Sequence, residues 1–340
     1  MDYRKQSAFT IVELLVVIVV IGILAAITIV SYTGISNKAT VASLQSDLSN
    51  AKKQLALYYV DHGAYPVSID DSTKCPKDSV GTADTRYCLK PSTGNASSYY
   101  PTSATYSTYL LTANKTNTTT IYSVTNDTGP AIVPTVTIGS QTWMSNNLNV
   151  GVRISGGAGS NQTNNSIIEK YCYDDTDAGC TNIEPSQGGI AYGGLYQWAE
   201  AVQYQNGATN SAVTNPALTG NVQGICPAGF HIPTDTEYKT LEMQLGMSQA
   251  QADLADAWRG TIEGTKLKSG VNGTSGLNVP LAGFRGTGGT FHFLSSFAYL
   301  WSSSESSTSA WLRFLYLGFA TVGRSSDGKG NGFSVRCLGN

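Results

Sequence analysis

One carboxylate stands inside the most apolar stretch of the sequence, where it needs a partner. Residues 9–30 form an almost unbroken apolar run, and Glu13 is the charged residue within it. A carboxylate in a bilayer costs roughly 2.5 to 3.5 kcal/mol near the centre of a span, so it is normally paired with another polar group. Cleavage between Ala8 and Phe9 would create a cation, the new α-amino group of Phe9. Its pairing with Glu13 of a neighbouring copy predicts a defined register of packed helices.

The same run has the length and the flanking charges of a membrane-spanning helix. Its 22 residues would extend about 33 Å as an α-helix, which matches a bilayer core. Arg4 and Lys5 precede the run, and positively charged flanks stay in the cytoplasm. A secretory signal has a shorter apolar region, followed by a cleavage site of small residues. The sequence therefore predicts a single-pass segment with the rest of the chain outside.

Two further motifs match known chemistry only in part. Residues 323–330, GRSSDGKG, follow the pattern of a nucleotide-binding loop, but Gly330 stands where magnesium needs Ser or Thr. His231 could act as a base, yet a hydrogen bond in the core is the simpler role for its ring. No set of acid, base and nucleophile emerges, so we expect neither an enzyme nor a cofactor.

An acidic loop is a candidate calcium site. Asp174, Asp175 and Asp177 lie between Cys172 and Cys180, and carboxylate oxygens are ligands that calcium prefers. A solvated turn closed by a disulfide is the simpler interpretation. We therefore expect no metal, with calcium as the alternative.

The cysteines favour disulfides over a metal centre. Their number, six, is even, which in an exported chain is typical of disulfide bonding. The sequence contains no CxxC motif and its three histidines lie far apart, so a zinc site has little support. Many pairings are open, but sequential pairing is favoured because its first two bonds close short loops. The favoured pairs are Cys75–Cys88, Cys172–Cys180 and Cys226–Cys337.

Composition limits the size of the fold and the class of partner. The chain has 340 residues, of which 13% are charged, with 21 Lys and Arg against 23 Asp and Glu. A nucleic-acid-binding protein needs a basic footprint, so binding of nucleic acid by a basic patch is excluded. The length is sufficient for two domains.

Periodicity indicates an amphipathic helix after the apolar run. Apolar residues recur at intervals of three and four, which places them on one helical face, and the helix should reach about Val60. Gly63 and Pro66 provide the stop signal. The stripe consists of Val41, Leu44, Leu48, Ala51 and Leu55.

Residues 67–134 are expected to form a small β head on that helix. The stretches 105–113 and 118–126 are rich in β-branched and aromatic residues, which predicts an antiparallel hairpin. This hairpin should cover the apolar stripe. Residues 129–134, GPAIVP, are predicted to be a linker because they include two prolines.

Residues 8–27, AFTIVELLVVIVVIGILAAI, resemble the signal of type IV prepilins and pseudopilins. In that family a short basic leader is removed, the new N-terminus is usually a methylated Phe, and the fifth residue is Glu. Phe9 and Glu13 fall on those positions. The family usually has Gly before the cut, where this chain has Ala8.

This resemblance implies a leader at residues 1–8 and a pilin helix at residues 9–66. The implied partners are a prepilin peptidase, the inner membrane and other pilin subunits. The protein would sit in the cytoplasmic membrane, N-terminus inside, before assembly into a surface pilus.

Residues 135–340 resemble the Fibrobacter succinogenes major paralogous domain. The motifs that carry the likeness occur in order: TIGSQTWMSNNLNVG, GGLYQWAEA, CPAGFHIPTDTEY, LAGFRGTGGTF, LWSSSES and GFSVRC. CPAGFHIPTDTEY and the closing strand are also similar to the C-type-lectin-like fold. The implied fold class is α+β. Independently, Thr234 and Glu237 have the spacing of a capping box at a helix start.

Two loop regions of this part are candidate ligand contacts, Arg285–Phe293 and Trp301–Trp311. Aromatic faces beside hydroxyl and amide groups suit a glycan or a protein surface. The alternative is that these residues only pack, which is the role expected for most of the five tryptophans. The candidate ligand-binding residues are Arg285, His292, Trp301, Glu305 and Trp311.

Together these features predict a minor or tip subunit of a type IV pilus that acts in adhesion. A major pilus subunit is a variant of this interpretation. The alternative from another class is a pseudopilin of a type II secretion or DNA-uptake machine, with no ligand of its own.

Overall fold

The computed structural model describes residues 39–340, except for 79, 102–108, 116–120, 126–130, 166, 183–189, 228 and 271–272. The predicted leader and apolar run, with Ala8, Phe9 and Glu13, lie outside the described residues. Within the described part of the chain, no helix combines the length and the apolar character that a bilayer crossing requires.

The described chain begins in a helix, α1, which covers residues 39–62. Leu44, Leu48 and Leu55 are almost completely buried, as the three- and four-residue spacing predicts. Gly63 follows with a φ of +74°, a conformation that favours glycine and ends helices. The helix therefore stops close to the predicted position.

A four-stranded antiparallel sheet packs on α1, in the order β3-β4-β5-β6. Pairing of β4 with β5 confirms the predicted hairpin. Tyr109 and Leu111 of β4 join the helical stripe in one apolar cluster, so this hairpin covers the helix. The head strands are β1 (Ser68–Ile69), β2 (Pro76–Lys77), β3 (Asn95–Pro101), β4 (Tyr109–Lys115), β5 (Ile121–Thr125) and β6 (Ala131–Val133).

The prediction that residues 129–134 form a linker is wrong for residues 131–133, which lie in a strand. Residues 131–133 form β6, which pairs with β5 through Ile121 and Val133. The prolines that suggested a linker flank the strand, and a proline costs a sheet nothing outside the ladder.

Beyond residue 134 the described chain forms two larger antiparallel-rich sheets and short helices, an α+β arrangement. One sheet has the order β11-β18-β8-β7, the other β12-β17-β16-β15-β13-β14. A parallel pair, β9 with β10, stands apart. The strands are β7 (Thr135–Ile138), β8 (Gln141–Met144), β9 (Val152–Arg153), β10 (Glu169–Lys170), β11 (Phe230–His231), β12 (Ala257–Arg259), β13 (Ala282–Arg285), β14 (Phe291–Leu294), β15 (Phe297–Ser306), β16 (Ser309–Tyr316), β17 (Val322–Gly328) and β18 (Leu338–Gly339). The helices are α2 (Ala178–Thr181), α3 (Trp198–Ala201), α4 (Asp235–Gln244), α5 (Gln249–Asp253) and α6 (Glu263–Leu267).

The head sheet also contacts this second region. Tyr99 of β3 packs beside the helical stripe, whereas its neighbour Tyr100 points to the opposite face. Tyr100 is only 4% exposed and belongs to the apolar cluster built mainly by residues beyond 143, and Leu110 packs against the same cluster. The head sheet thus lies between α1 and the C-terminal region.

Three disulfides close loops, and they are the sequential pairs that cysteine spacing favours. Cys75–Cys88 spans 13 residues and Cys172–Cys180 spans 8. Cys226–Cys337 spans 111 residues and joins the segment before β11 to the segment before β18. The described residues include no free cysteine.

Buried ion pairs fix α4 against one face of the six-stranded sheet. Glu242 accepts from Arg259 at 2.7 Å and from Arg313 at 2.6 Å. Asp235 accepts from Arg313 at 2.7 Å and from Arg324 at 2.8 Å. Since all five side chains are largely buried, each charge is neutralised by a direct partner, as burial requires.

Candidate functional site

The six-stranded sheet has one face against α4 and another lined with aromatic rings. Along β15 and β16, side chains alternate between the two faces, as in any strand. Leu300 and Leu315 point to the α4 side and are buried there. Phe297, Tyr299 and Tyr316 point the other way and are only half-buried.

Rings on this second face form cross-strand pairs with nearly parallel planes. Phe297 lies opposite Tyr316 in the strand register, and their ring centroids are 4.6 Å apart at an interplanar angle of 26°. Tyr299 lies opposite Phe314, at 6.1 Å and 16°. Such offset stacking is a favourable geometry for aromatic pairs, so the rings form an ordered row.

Further rings extend the row at both ends. At one end, Trp258 of β12 lies 4.7 Å from Phe314 and 4.8 Å from Phe319, measured between centroids. At the other end, Phe293 lies 5.2 Å from Phe297. We call this surface the aromatic face: Trp258, Phe284, His292, Phe293, Phe297, Tyr299, Phe314, Tyr316 and Phe319.

Glycine at position 323 leaves room for one of these rings. Gly323 lies opposite Phe314 in the register of β16 and β17. A Cβ atom at position 323 would lie 2.3 Å from a carbon of the Phe314 ring, far inside van der Waals contact. The ring therefore covers the backbone of β17, which any larger residue would prevent.

The rim of the aromatic face is acidic and polar. Ser325 follows Gly323 on the same side of β17 and donates its hydroxyl to Asp256 at 2.6 Å. Asp327 accepts from the side-chain amide of Asn331 at 3.2 Å. Burial, with the charge of Asp327 as a smaller contribution, raises the pKa of Tyr299 to about 12, so the Tyr299 hydroxyl is neutral at physiological pH.

A lysine beside the rings is held by backbone carbonyl groups. Lys268 donates its ammonium to the carbonyl oxygens of Tyr316, Leu317 and Phe319 at 2.9, 3.1 and 2.8 Å. Burial lowers the pKa of Lys268. These three bonds brace the loop that carries Phe319.

Two predicted ligand-binding residues are in the interior, which corrects that prediction. Arg285 is completely buried; its guanidinium donates to the carbonyl oxygens of Gly156 and Gly157 at 2.8 and 2.9 Å. Trp301 is also completely buried, and its indole N–H donates to the carbonyl of Tyr196 at 2.9 Å. Both residues hold loops in place and cannot touch a surface ligand.

Two other candidates serve internal contacts as well. Glu305 pairs with the buried ammonium of Lys329 and accepts from the backbone N–H of Thr214 at 3.0 Å. Trp311 lies under the guanidinium of Arg324, at 4.0 Å, on the α4 side of the sheet. Of the five predicted residues, His292 belongs to the aromatic face, with its ring 5.1 Å from Phe284.

Two of the three carboxylates of the acidic loop pair with a protein cation. Arg153 donates to Asp175 at 3.1 Å and to Asp177 at 2.7 Å. Among the described residues, no group of three or more His, Cys, Asp or Glu side chains is arranged to hold a metal ion. Two of the carboxylates therefore have a protein partner within the turn that Cys172–Cys180 closes.

The other two motifs take structural roles. His231 is 1% exposed and its ring nitrogens face Asn340 at 2.7 Å and Glu237 at 3.0 Å. Glu237 also completes the predicted capping box with Thr234. Residues 323–328 of the nucleotide-loop pattern lie in the extended strand β17, and Lys329 is buried over the ring of Trp198.

The sequence predicts ligand contacts in loops, whereas most residues of the aromatic face lie in strands. The signal was present as alternation: FAY at 297–299 and FLY at 314–316 place aromatic residues at every second position. Alternation alone does not tell which face of a strand is covered, so the surface was missed.

Two family models match the chain. The model of the Fibrobacter succinogenes major domain matches residues 136–338, more than half of the chain. The prokaryotic N-terminal methylation motif matches residues 3–29.

Several secretion and pilus proteins are similar to part of the chain. The type II secretion system core protein G of Aeromonas hydrophila is 37% identical over 68 residues, 20% of this chain and 48% of that protein. The protein of the same name from Pseudomonas aeruginosa is 36% identical over 66 residues, which are 19% of this chain and 46% of that protein. A type IV major pilin protein of Neisseria gonorrhoeae is 34% identical over 61 residues, which are 18% of this chain and 37% of that protein. The chain spans about half the length of these relatives, or less.

Proposed function

The chain belongs to the Fibrobacter succinogenes major domain family, and because it also matches the N-terminal methylation motif, we propose that it is a pilin-like subunit. In this proposal a prepilin peptidase removes residues 1–8, and the mature subunit passes from the cytoplasmic membrane into a surface filament with other pilin subunits. The subunit then carries the C-terminal family domain outside the cell.

The observation that carries the proposal is the placement of Glu13 in an apolar run that begins at Phe9. The methylation motif covers both residues, since its match extends from 3 to 29. A lone carboxylate in such a run demands a counter-charge, and the trimmed N-terminus of an adjacent subunit would supply it.

The described structure supports the proposal through α1. Its apolar stripe is covered by the head sheet on one side, so the helix can extend from a filament core into a globular head. Two exposed apolar residues on α1, Leu57 and Val60, lie off the helical face that this cluster covers.

The test replaces Glu13 in the full chain, expressed with a prepilin peptidase. Glu13→Gln keeps the shape of the side chain and removes its charge. We expect cleavage before Phe9 and N-methylation, seen in the intact mass, to continue, while incorporation into sheared filaments falls at least about tenfold, equivalent to about 1.4 kcal/mol.

Asp71→Asn is the matched control, because it removes one carboxylate from a fully exposed side chain. It should leave incorporation unchanged. The proposal fails if mature subunits in filaments retain residues 1–8, or if Glu13→Gln enters filaments as readily as wild type.

The size and position of the family domain support a minor or tip subunit with an adhesive role. A domain covering residues 136–338 is bulky beside a small head, so it would project from a helical filament. This role is structural and binding rather than catalytic.

A second candidate is a pseudopilin of a secretion or DNA-uptake machine. It is favoured by the protein G relatives, which are named as components of the type II secretion system. Deletion of the gene separates the two: loss of protein export or DNA uptake with intact attachment would favour the machine, and the converse would favour the adhesive pilus.

A further inference from the structure

We propose that the aromatic face binds a neutral polysaccharide, whose pyranose rings stack on the exposed aromatic rings while their hydroxyl groups donate to the acidic rim. This deepens the proposed adhesive role by assigning a site and a ligand class. It depends on that role only for display outside the cell.

Exposure of the rings is the first argument. Phe293 is 51% exposed and Phe319 is 44% exposed, and between them lie half-buried rings on neighbouring strands. Contiguous apolar patches of this kind on a soluble surface mark interaction sites. Aromatic faces carry partial negative charge, which attracts the weakly positive C–H groups on the flat side of a sugar ring.

Construction of the face is the second argument. Gly323 makes space for Phe314, and the three hydrogen bonds of Lys268 hold the loop of Phe319. The sheet behind the rings is fixed to α4 by buried ion pairs. The rings are therefore pre-organised, which lowers the entropy lost on binding.

Charge selects the polysaccharide over other occupants. Asp256 and Asp327 lie at the rim. The ammonium group of Lys268 donates all three of its hydrogen bonds to backbone carbonyls. A nucleic acid or an anionic bilayer would need cations at this surface. Sugar hydroxyl groups, in contrast, donate hydrogen bonds that carboxylates accept. A polysaccharide without charge is also not repelled by the two aspartates.

The test uses the purified full chain in a polyoxyethylene detergent, which carries no sugar headgroup. Retention is measured on beads of three neutral glucans, cellulose, curdlan and dextran, and on anionic alginate. We expect at least one neutral glucan to retain the protein and alginate to retain it no better than bare beads.

The test variant is Phe293→Asn with Phe319→Ala. Phe293 has a φ of +61°, a conformation that Asn tolerates, so the double change should leave the melting temperature within a few degrees. We expect retention on the glucan to fall at least about tenfold. Leu317→Ala is the matched control, since Leu317 is 61% exposed at the same edge but has no ring; its retention should equal that of wild type.

Three results would overturn the inference. Wild type could bind no neutral glucan above alginate; the double variant could be retained as well as wild type; or Leu317→Ala could lose as much as the double variant, which would indicate unspecific apolar adhesion. Concentration-dependent dimers that the double variant abolishes, without glucan binding, would instead make the face a contact between copies. None of these readouts involves leader cleavage or filament assembly, so failure here is distinguishable from failure of the proposed function.

Discussion

Glu200, on α3, is a buried carboxylate whose protonation should control stability. It is completely buried and accepts from the backbone N–H of Glu169 at 2.9 Å and the amide of Gln203 at 3.3 Å. Burial raises its pKa to about 7 from a usual 4.5. The folded state therefore holds the proton more tightly than the unfolded chain does.

The raised pKa of Glu200 determines how the stability of the fold changes with pH. The stabilising effect of the proton is complete below pH 4.5 and is lost as pH rises through about 7. Glu200→Gln removes this titration, so its unfolding free energy relative to wild type should rise by up to about 3 kcal/mol across that range, at about 1.4 kcal/mol per pKa unit. Urea unfolding at a series of pH values measures the difference.

Asp174→Asn provides the control for Glu200→Gln. It removes an exposed carboxylate at a position with φ +53°, which Asn accepts. Its difference from wild type should stay flat over the same pH range. An equally flat difference for Glu200→Gln would contradict the assignment.

Residue type alone could not place the candidate ligand residues. Arg285 and Trp301 were attractive because Arg and Trp are frequent in binding sites, but the same side chains fill cores when their polar atoms find partners. Which of these applies depends on loops distant in sequence, such as residues 156–160 around Arg285. The cysteine pairs were easier to predict from the sequence, because two of the three disulfides close short local loops.

Elements defined by local periodicity were predictable, and those defined by distant pairing were not. The stripe on α1 and the β4–β5 hairpin follow from spacing within a few turns. In contrast, β18 pairs with β8 across most of the C-terminal region, through Leu338 and Trp143. No local pattern contains that register, which explains why the sheets themselves were not foreseen strand by strand.

The long disulfide should stabilise this distant pairing most. Replacing both Cys226 and Cys337 by Ser opens a loop of 111 residues, which should cost about 5 kcal/mol of unfolding free energy because cross-links restrict the unfolded chain. Urea unfolding followed by tryptophan fluorescence measures the loss.

The short disulfide is the built-in comparison. Cys172→Ser with Cys180→Ser opens a loop of only 8 residues, for which the same relation gives about 2.5 kcal/mol. Equal losses for the two pairs would show that loop entropy does not govern either bond.

At the scale of the whole molecule, the head and the C-terminal region meet through Tyr100. Its side chain is buried among residues of the C-terminal cluster, so Tyr100→Ala should uncouple the two parts. The two parts can be followed separately during thermal unfolding. Amide hydrogen exchange of peptides from α1 reports on the head, and tryptophan fluorescence reports on the C-terminal region, because all five tryptophans lie at or beyond Trp143. We expect the two melting curves to coincide in wild type and to separate in the variant.

Leu57→Ala is the control for this coupling. Leu57 is 53% exposed on α1, away from the contact, so its two curves should still coincide. Coincident curves in Tyr100→Ala would mean that the contact carries no coupling.

The pairing of β18 with β8 also decides how the C-terminal region would respond to tension. Strand β7, where the region begins, pairs with β8, and β8 pairs with β18 near the chain end, which Cys337 links covalently to Cys226. In a filament of the kind proposed above, a pull would enter this region at β7, two strands away from β18 in the same sheet. The Cys226–Cys337 bond would keep β18, and through it β8, attached to the segment before β11 when the first strand of the region is loaded.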